Sequence, residues 1–390
     1  MKNVTVKLTA LVLLLVVWSG VASAQTQPLN VVTTAVPFLR ISPDARGGGM
    51  GDLGVATSAD ANSAFWNLSK TPFNVNKGGI ALTYTPWLQG LDIKDVYLAC
   101  LTGYYKLDDI QAISGSLRYF SLGNIQFTDN NGSELGQYRP REFSIEGGYS
   151  RKLSEKLGVG LMVRYINSSL ASGDPNNSGT VYQPGTSVAA DISMFHTGVK
   201  ENGQGLNYGV SVSNLGTKIS YTNDATQKDF IPANLGIGAT YTSVFNSDSK
   251  MTFGADINKL LVPTPPEVGD STGLAEYRNM SVVSSWFKSF GDAPGGASEE
   301  LAELTFSLGT EFWYQNQFAF RAGYFFESPS KGNRQYFTVG AGLKYEMFGL
   351  NFSYLIPSGS GVNRNPLSNT IRFGIIFDFG ATGGATAEPK

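Results

Sequence analysis

The chain has 390 residues, with 29 Lys and Arg against 31 Asp and Glu, a formal net charge of -2, 46 Gly and 12% aromatic residues. That balance supplies no basic field for a phosphate backbone, which excludes nucleic acid as a partner. The glycines are spread through aromatic and β-branched segments, which excludes a low-complexity chain, and the 15% charged fraction, below the usual ~25%, favours a protein with much of its surface out of water.

Lys2 and Lys7, the apolar run Leu8 to Val17 and the small residues Ala22, Ser23 and Ala24 read as a secretory signal peptide over residues 1–24, with the mature chain starting at Gln25. Beyond it no apolar run reaches the ~18 residues of a membrane helix, which leaves soluble export or a β-barrel. Residues 25–78 break any regular pattern with Pro43, Asp44, Ala45 and Arg46 followed by Gly47, Gly48, Gly49, Met50, Gly51 and Asp52. This segment is expected to be a separate element. A plug in a barrel mouth, with glycines permitting close approach to the wall, is the favoured reading, and a ligand-binding loop is the alternative. Pro43 is placed to open one short helix, and the group Asp60, Ala61, Asn62 to cap a second that leads into Trp66 and Asn67.

From about Gly79 the sequence alternates with period two. Phe337, Val339, Ala341, Leu343 and Tyr345 share one face, as do Ile371, Phe373, Ile375, Phe377 and Phe379. The other face carries Arg118, Glu146, Arg164, Arg321 and Arg372. About fourteen such segments follow one another to residue 380, the tenth spanning 301–314. Near ten residues each, they suit a tilted crossing of a bilayer better than the shorter strands of a soluble sandwich. The connections sort by length: 153–155, 199–204, 245–248, 315 and 347 are short, whereas 123–140, 171–184, 216–232, 260–300 and 357–369 are long. That asymmetry is expected of periplasmic turns and extracellular loops. The predicted class is all-β membrane protein: a transmembrane barrel of about fourteen antiparallel strands over 79–380, with a small N-terminal plug and a polar tail over 381–390. Cys100, inside a strand, is expected to be a small buried or lipid-facing residue.

The stretch Ser42 to Asn67, followed by about fourteen strands, resembles the PorV/PorQ group of FadL-type outer-membrane barrels. The resemblance spans the mature chain, and the motif residues that carry it are Pro43, Asp44, Arg46, Gly51, Asp52, Asn62, Trp66 and Asn67. FadL-type channels often have Asn-Pro-Ala where this chain has Asn67, Leu68 and Ser69, so a substrate-gating role is not carried over. The resemblance implies outer-membrane lipid as solvent, a place in type IX secretion of the Bacteroidetes kind, and three partners: the type IX translocon, the C-terminal domains of secreted cargo, and the cell-surface attachment complex. A FadL-like channel for a hydrophobic small molecule is the alternative.

No catalytic constellation, cofactor site or metal site is expected. Gly269, Asp270, Ser271, Thr272 and Gly273 match a nucleophile-elbow string, but the segment follows Pro263, Pro265 and Pro266 in a long loop with neither the strand nor the helix that chemistry needs. The one histidine, His196, ends a remote strand near a short-turn rim and makes a poor metal ligand without partners. Asp129 to Glu134 departs from calcium-loop spacing, and Gly158 and Gly160 lie within a strand, where they relieve crowding in the lumen. The longest loop is more informative. Met280, Val283, Trp286, Phe287 and Phe290 recur at helical spacing, predicting a short amphipathic helix at the barrel mouth that serves as a lid on its own barrel or as a partner contact.

Overall fold

A computed structural model describes residues 30–88, 93–128, 131–174, 179–224, 228–266, 269–357 and 369–381. The expected signal peptide, the brief connection around Gly90, most of the 357–369 loop and residues 382–390 of the tail lie outside the described residues.

Among the described residues sixteen strands form: β1 Asn76–Pro86, β2 Val96–Lys106, β3 Gln111–Leu122, β4 Ile125–Thr128, β5 Glu134–Tyr138, β6 Arg141–Lys152, β7 Leu157–Ser169, β8 Gly185–Thr197, β9 Gly205–Gly216, β10 Asn234–Val244, β11 Ser249–Leu260, β12 Thr305–Tyr314, β13 Phe318–Phe326, β14 Gln335–Tyr345, β15 Phe348–Pro357 and β16 Ile371–Ala381. Fourteen of them close an antiparallel barrel, sealed where β1 meets β16 with Ile80 opposite Phe377 and Tyr84 opposite Phe373. Closure satisfies every strand edge, the condition for sheet in hydrocarbon. Strands β4 and β5 make a separate hairpin within the 123–140 connection, a feature the sequence reading leaves as loop. The tenth barrel strand begins at Thr305 rather than 301, because Ala297–Ala302 winds into a helix first.

The alternation is inverted relative to a soluble barrel. On β7 the outward residues Leu161, Val163 and Tyr165 are exposed, while inward Met162, Arg164 and Ile166 are buried. The same division runs around the wall: Ile80, Leu117, Ile145, Ile192, Ile237, Phe320, Val339 and Phe373 face out, and Ser116, Glu146, Asp191, Thr240, Glu311, Arg321 and Arg372 face in. Exposed greasy residues in such a continuous band need acyl chains as solvent. Tyr105, Tyr149, Tyr208, Tyr241 and Phe245 sit among the exposed residues toward the short turns, and a packed Tyr84, Tyr97 and Tyr119 row toward the long loops, as interfacial girdles do. Cys100 points inward and is buried in a cluster with Phe38, Leu39, Leu98 and Phe120.

The lumen wall is stitched by charge. Arg164 donates from Nε to Glu146 at 2.7 Å and from Nη2 to Asp191 at 2.8 Å, and Arg118 Nε approaches Glu146 at 3.3 Å. At Asp191 the register of β8 against β9 shifts, and Asn214, at φ 58°, donates its backbone N–H to Asp191 at 2.7 Å. This bulge turns Asn214 inward against Arg164, and its side-chain amide donates to the Pro232 carbonyl.

Candidate functional site

Residues 30–75 occupy the lumen as a chain of short turns. Asp44 organises them. It caps the helix Ala45–Gly48 by accepting from Gly47 N–H at 2.8 Å, and its second oxygen accepts from Trp66 Nε1 at 2.5 Å. The cap is therefore Asp44, with Pro43 just before it. The second helix, Ser63–Trp66, follows Asn62, but the Asn62 side chain makes no cap; Ser63 Oγ accepts from the Asp60 N–H, and Asp60 accepts from the Asn62 N–H. Burial pushes the Asp44 carboxyl up from its ordinary value, with the nearby Asp60 charge adding to the effect.

Close approach sets where glycine is needed. A Cβ on Gly54 would lie 2.1 Å from the Trp66 ring, and one on the wall residue Gly323 would lie 2.1 Å from the Met50 carbonyl carbon. Gly51, at φ 74°, takes the left-handed turn between these contacts, and its N–H donates to Thr338 on β14. Gly160 meets Leu68 and Ser69 in the same way. The strand glycines thus let backbone pack on backbone.

Charged and polar side chains fix the register. Arg46 makes a two-pronged contact with Glu311 at 2.8 and 2.9 Å, a 2.8 Å bond to Asp60 and two more to Ser58, while Arg321 donates to Glu311 at 2.7 Å. Asp52 accepts from the Tyr336 hydroxyl at 2.5 Å and lies 3.7 Å from Arg372. Asn67 donates to the Val55 and Met194 carbonyls, both at 3.0 Å. Seven of the eight motif residues thus act within the lumen packing; Asn62 is buried there with its side-chain oxygen unbonded. Sequence reasoning missed Lys70, which is 1% exposed and donates to the Gly54 carbonyl at 2.6 Å and Thr57 at 3.0 Å. Burial lowers its ammonium to about 8. Nothing short of the folded contact identifies such a lysine, since it sits in no motif.

The long-loop mouth is built differently. Residues 261–304 carry three helices, Ser271–Asn279, Val282–Lys288 and Ala297–Ala302. The five aromatic and aliphatic residues predicted on one face are divided. Met280 falls between the first two helices and packs toward Val32, Phe230 and Val262, and Trp286 is half-buried, whereas Val283, Phe287 and Phe290 are exposed, Phe287 at 75%. Below them Lys259 pairs with Glu300 at 3.0 Å and Glu303 at 2.7 Å, and Lys331 pairs with Glu299 at 2.5 Å and Glu303 at 3.0 Å. This base was not anticipated, although Glu299 and Glu300 within one short helix and Glu303 just after it offered a signal.

The string Gly269 to Gly273 does lead into a helix, against expectation, because Asp270 caps it by accepting from Gly273 N–H at 2.9 Å. His196 is on the outer wall, stacked on Tyr208 at 4.5 Å, so it cannot pair with Ser271 across the long-loop rim. Among the described residues no group of three or more His, Cys, Asp or Glu could hold a metal ion. Part of the Asp129 to Glu134 stretch lies outside the described residues.

A closed barrel with a lipid-facing exterior, a charged interior filled by its own N-terminal segment, and one rim of long loops defines a bacterial outer-membrane protein. The chain belongs to the PorV family, described as type IX secretion system protein PorV, whose model matches residues 23–267. It is thus an outer-membrane barrel of a type IX secretion system and not an enzyme. In fold it is similar to the Ralstonia pickettii toluene transporter TbuX, at 10% identity over 86% of this chain and 98% of that one with a TM-score of 0.54. It is likewise similar to a TodX deltaS2S3 mutant monoaromatic hydrocarbon channel, at 13% identity over 86% and 98% with a TM-score of 0.50. At such identities the likeness concerns architecture alone. No curated protein matches the chain significantly.

Proposed function

We propose that this barrel receives the C-terminal domain of secreted cargo at its long-loop rim as the cargo leaves the type IX translocon, and passes it to the cell-surface attachment complex. The observation that carries this reading is the exposed stripe Val283, Phe287 and Phe290 on the long loop. Long loops face the outside in such barrels. Aromatics presented to water on a loop whose base is pinned by four ion pairs are suited to anchor a protein partner, because the ordering cost is already met by the fold. The lumen segment leaves cargo transport to the translocon and gives the barrel a receiving role. The test is retention of a cargo C-terminal domain by the detergent-purified protein and by a Phe287→Ser, Phe290→Ser form. A loss of at least about tenfold in the altered form, roughly 1.4 kcal/mol, is expected. Equal retention by both forms removes the loop from the mechanism, and no retention by either overturns cargo binding.

A second reading, conduction of a hydrophobic small molecule, draws on a cavity of ≈ 580 Å³ in the short-turn half of the lumen, where Phe73, Phe195 and Trp313 share the lining with Lys250 and Asp378. Uptake of a fluorescent fatty acid into proteoliposomes, abolished by a disulfide that locks the lumen segment to the wall, would favour it over cargo reception.

A further inference from the structure

Above the lumen segment, in the long-loop half of the barrel, lies a second cavity of ≈ 130 Å³. It sits between residues 39–43 of the N-terminal segment and the upper parts of β3, β9, β11 and β13, and Arg40, Arg118 and Arg334 all line it. One carboxylate, Asp52, shares the lining; one of its oxygens accepts from Tyr336, and the other lies 3.7 Å from Arg372 with no hydrogen-bond partner among the described residues. Arg118 is committed as well, donating to the Leu39 carbonyl at 3.1 Å and lying against Glu146.

The other two guanidiniums are not equally served. Both oxygens of Glu327 are taken by the fork of Arg334, at 2.7 and 2.8 Å, which leaves Arg40 3.7 Å from the same carboxylate with none of its donors hydrogen-bonded among the described residues. Two cations therefore crowd one anion. Burial, and then the Arg334 charge, hold Arg40 down to about 10, which still leaves it charged at neutral pH. On the same lining, Ser42 is 3% exposed and its hydroxyl has no hydrogen-bond partner, an arrangement that costs stability when left unmet. Arg40 and Arg334 each keep about a quarter of the side chain exposed, 26% in both cases, so the cavity is reachable from solvent. Its volume exceeds the ~30 Å³ share of one water several times over.

We propose that this cavity is an oxyanion site that takes one carboxylate or phosphate group between Arg40 and Arg334, with Ser42 donating to it. Planar guanidinium forks match such groups in geometry and charge. The occupant is either a free small anion or the terminal carboxylate of a peptide entering the mouth. The site stands apart from cargo reception, because neither its residues nor its test involve the long-loop stripe or a cargo domain.

The experiment is titration calorimetry of the full-length protein in neutral detergent at fixed ionic strength. The probes are acetate, inorganic phosphate, and an N-acetylated eight-residue peptide with uncharged side chains, ending in a free carboxylate or in an amide. Saturable one-site binding is expected, weakened at least tenfold in Arg40→Gln with an unchanged melting temperature, and weakened likewise in Arg334→Gln. Saturation by acetate or phosphate with neither peptide bound assigns a free anion, and binding of the acid peptide but not the amide assigns a chain terminus; both support the site. Absence of saturable binding by every probe, equal binding of acid and amide peptides without acetate or phosphate binding, or an Arg40→Gln form that binds as the parent does would each overturn it.

Discussion

Two regions of this molecule close the same barrel by opposite means. The N-terminal segment is held on all sides: its backbone rests on wall glycines, Asp44, Arg46 and Asp60 are bonded inside the lumen, and Val36, Phe38, Met50 and Leu53 have essentially no exposure. The long loop is held at its base by Lys259 and Lys331 against Glu299, Glu300 and Glu303, and at one side by Tyr277 and Met280 packed on Val32, Phe230 and Val262, and lifts Val283, Phe287 and Phe290 into solvent. Both use ion pairs, so charge alone does not separate structure from recognition. What separates them is where the apolar surface goes. Burial against the wall stabilises, whereas apolar surface left exposed on an ordered loop is free for a partner.

The contrast breaks most severely at the backbone contact. Gly323→Leu places carbon where Met50 and Gly51 backbone atoms already lie, at 2.1 and 2.2 Å, and neither can yield without moving the segment. A cost well above the ~1–3 kcal/mol of ordinary overpacking is expected. Limited proteolysis should then cut within residues 30–75, or the folded band should vanish from a heat-modifiability gel; parental protease resistance in a folded barrel would refute the contact. Next in size is Arg46→Ala, which leaves Asp60 unpaired and Glu311 with Arg321 alone. The arginine is 11% and Glu311 2% exposed at the side chain, so a loss of about 3–5 kcal/mol is expected in denaturant unfolding from micelles. Adding Asp60→Asn should restore part of it, a coupling readable from the double-mutant cycle; purely additive losses would mean that the pair does not hold the segment.

Legibility in the sequence followed the range of the physics. Period-two alternation is a local property, so Leu161, Val163 and Tyr165 on one face and Arg164 on the other could be assigned from five consecutive residues, and the fourteen barrel strands emerged with boundaries displaced by only a few positions. The start of β12 is displaced because Ala302 and Leu304 continue the apolar face of Phe306 and Leu308, an alternation that the helix Ala297–Ala302 overrides. The β4–β5 hairpin, short and mostly exposed, lacks a buried face to impose a pattern. The lumen segment showed its motif but not its partners: Arg46 meets Glu311 across 265 positions, and only closure of the barrel brings them together. For the same reason Lys70, Arg40 and Arg334 looked like ordinary surface charges, and the five-residue stripe on the long loop could not be divided into inward Met280 and outward Phe287 until the chain turn between two helices was known.

The smallest effect probes the base of the loop and should leave the barrel intact. Glu303 is pushed up by burial, but hydrogen bonds from Lys259, Thr264 and Lys331 outweigh this and hold it below the ordinary carboxylate range; Glu299 is lowered in the same sense, chiefly by Lys331. A carboxyl lowered in the folded state contributes stability that is complete above its unfolded value, ~4.3, and is lost as pH falls through the folded one. Hydrogen exchange across 271–303 should therefore accelerate as pH is lowered below about 4.3, after correction for the intrinsic rate, with exchange in β6 and β7 unchanged. Lys331→Met, which leaves Glu299 without its cation and Glu303 with Lys259 alone, should open the same stretch at neutral pH by on the order of 1–3 kcal/mol. If instead β6 and β7 opened together with the loop, the two regions would form one cooperative unit, and the exposed aromatics would have to be explained by barrel stability instead of by a partner.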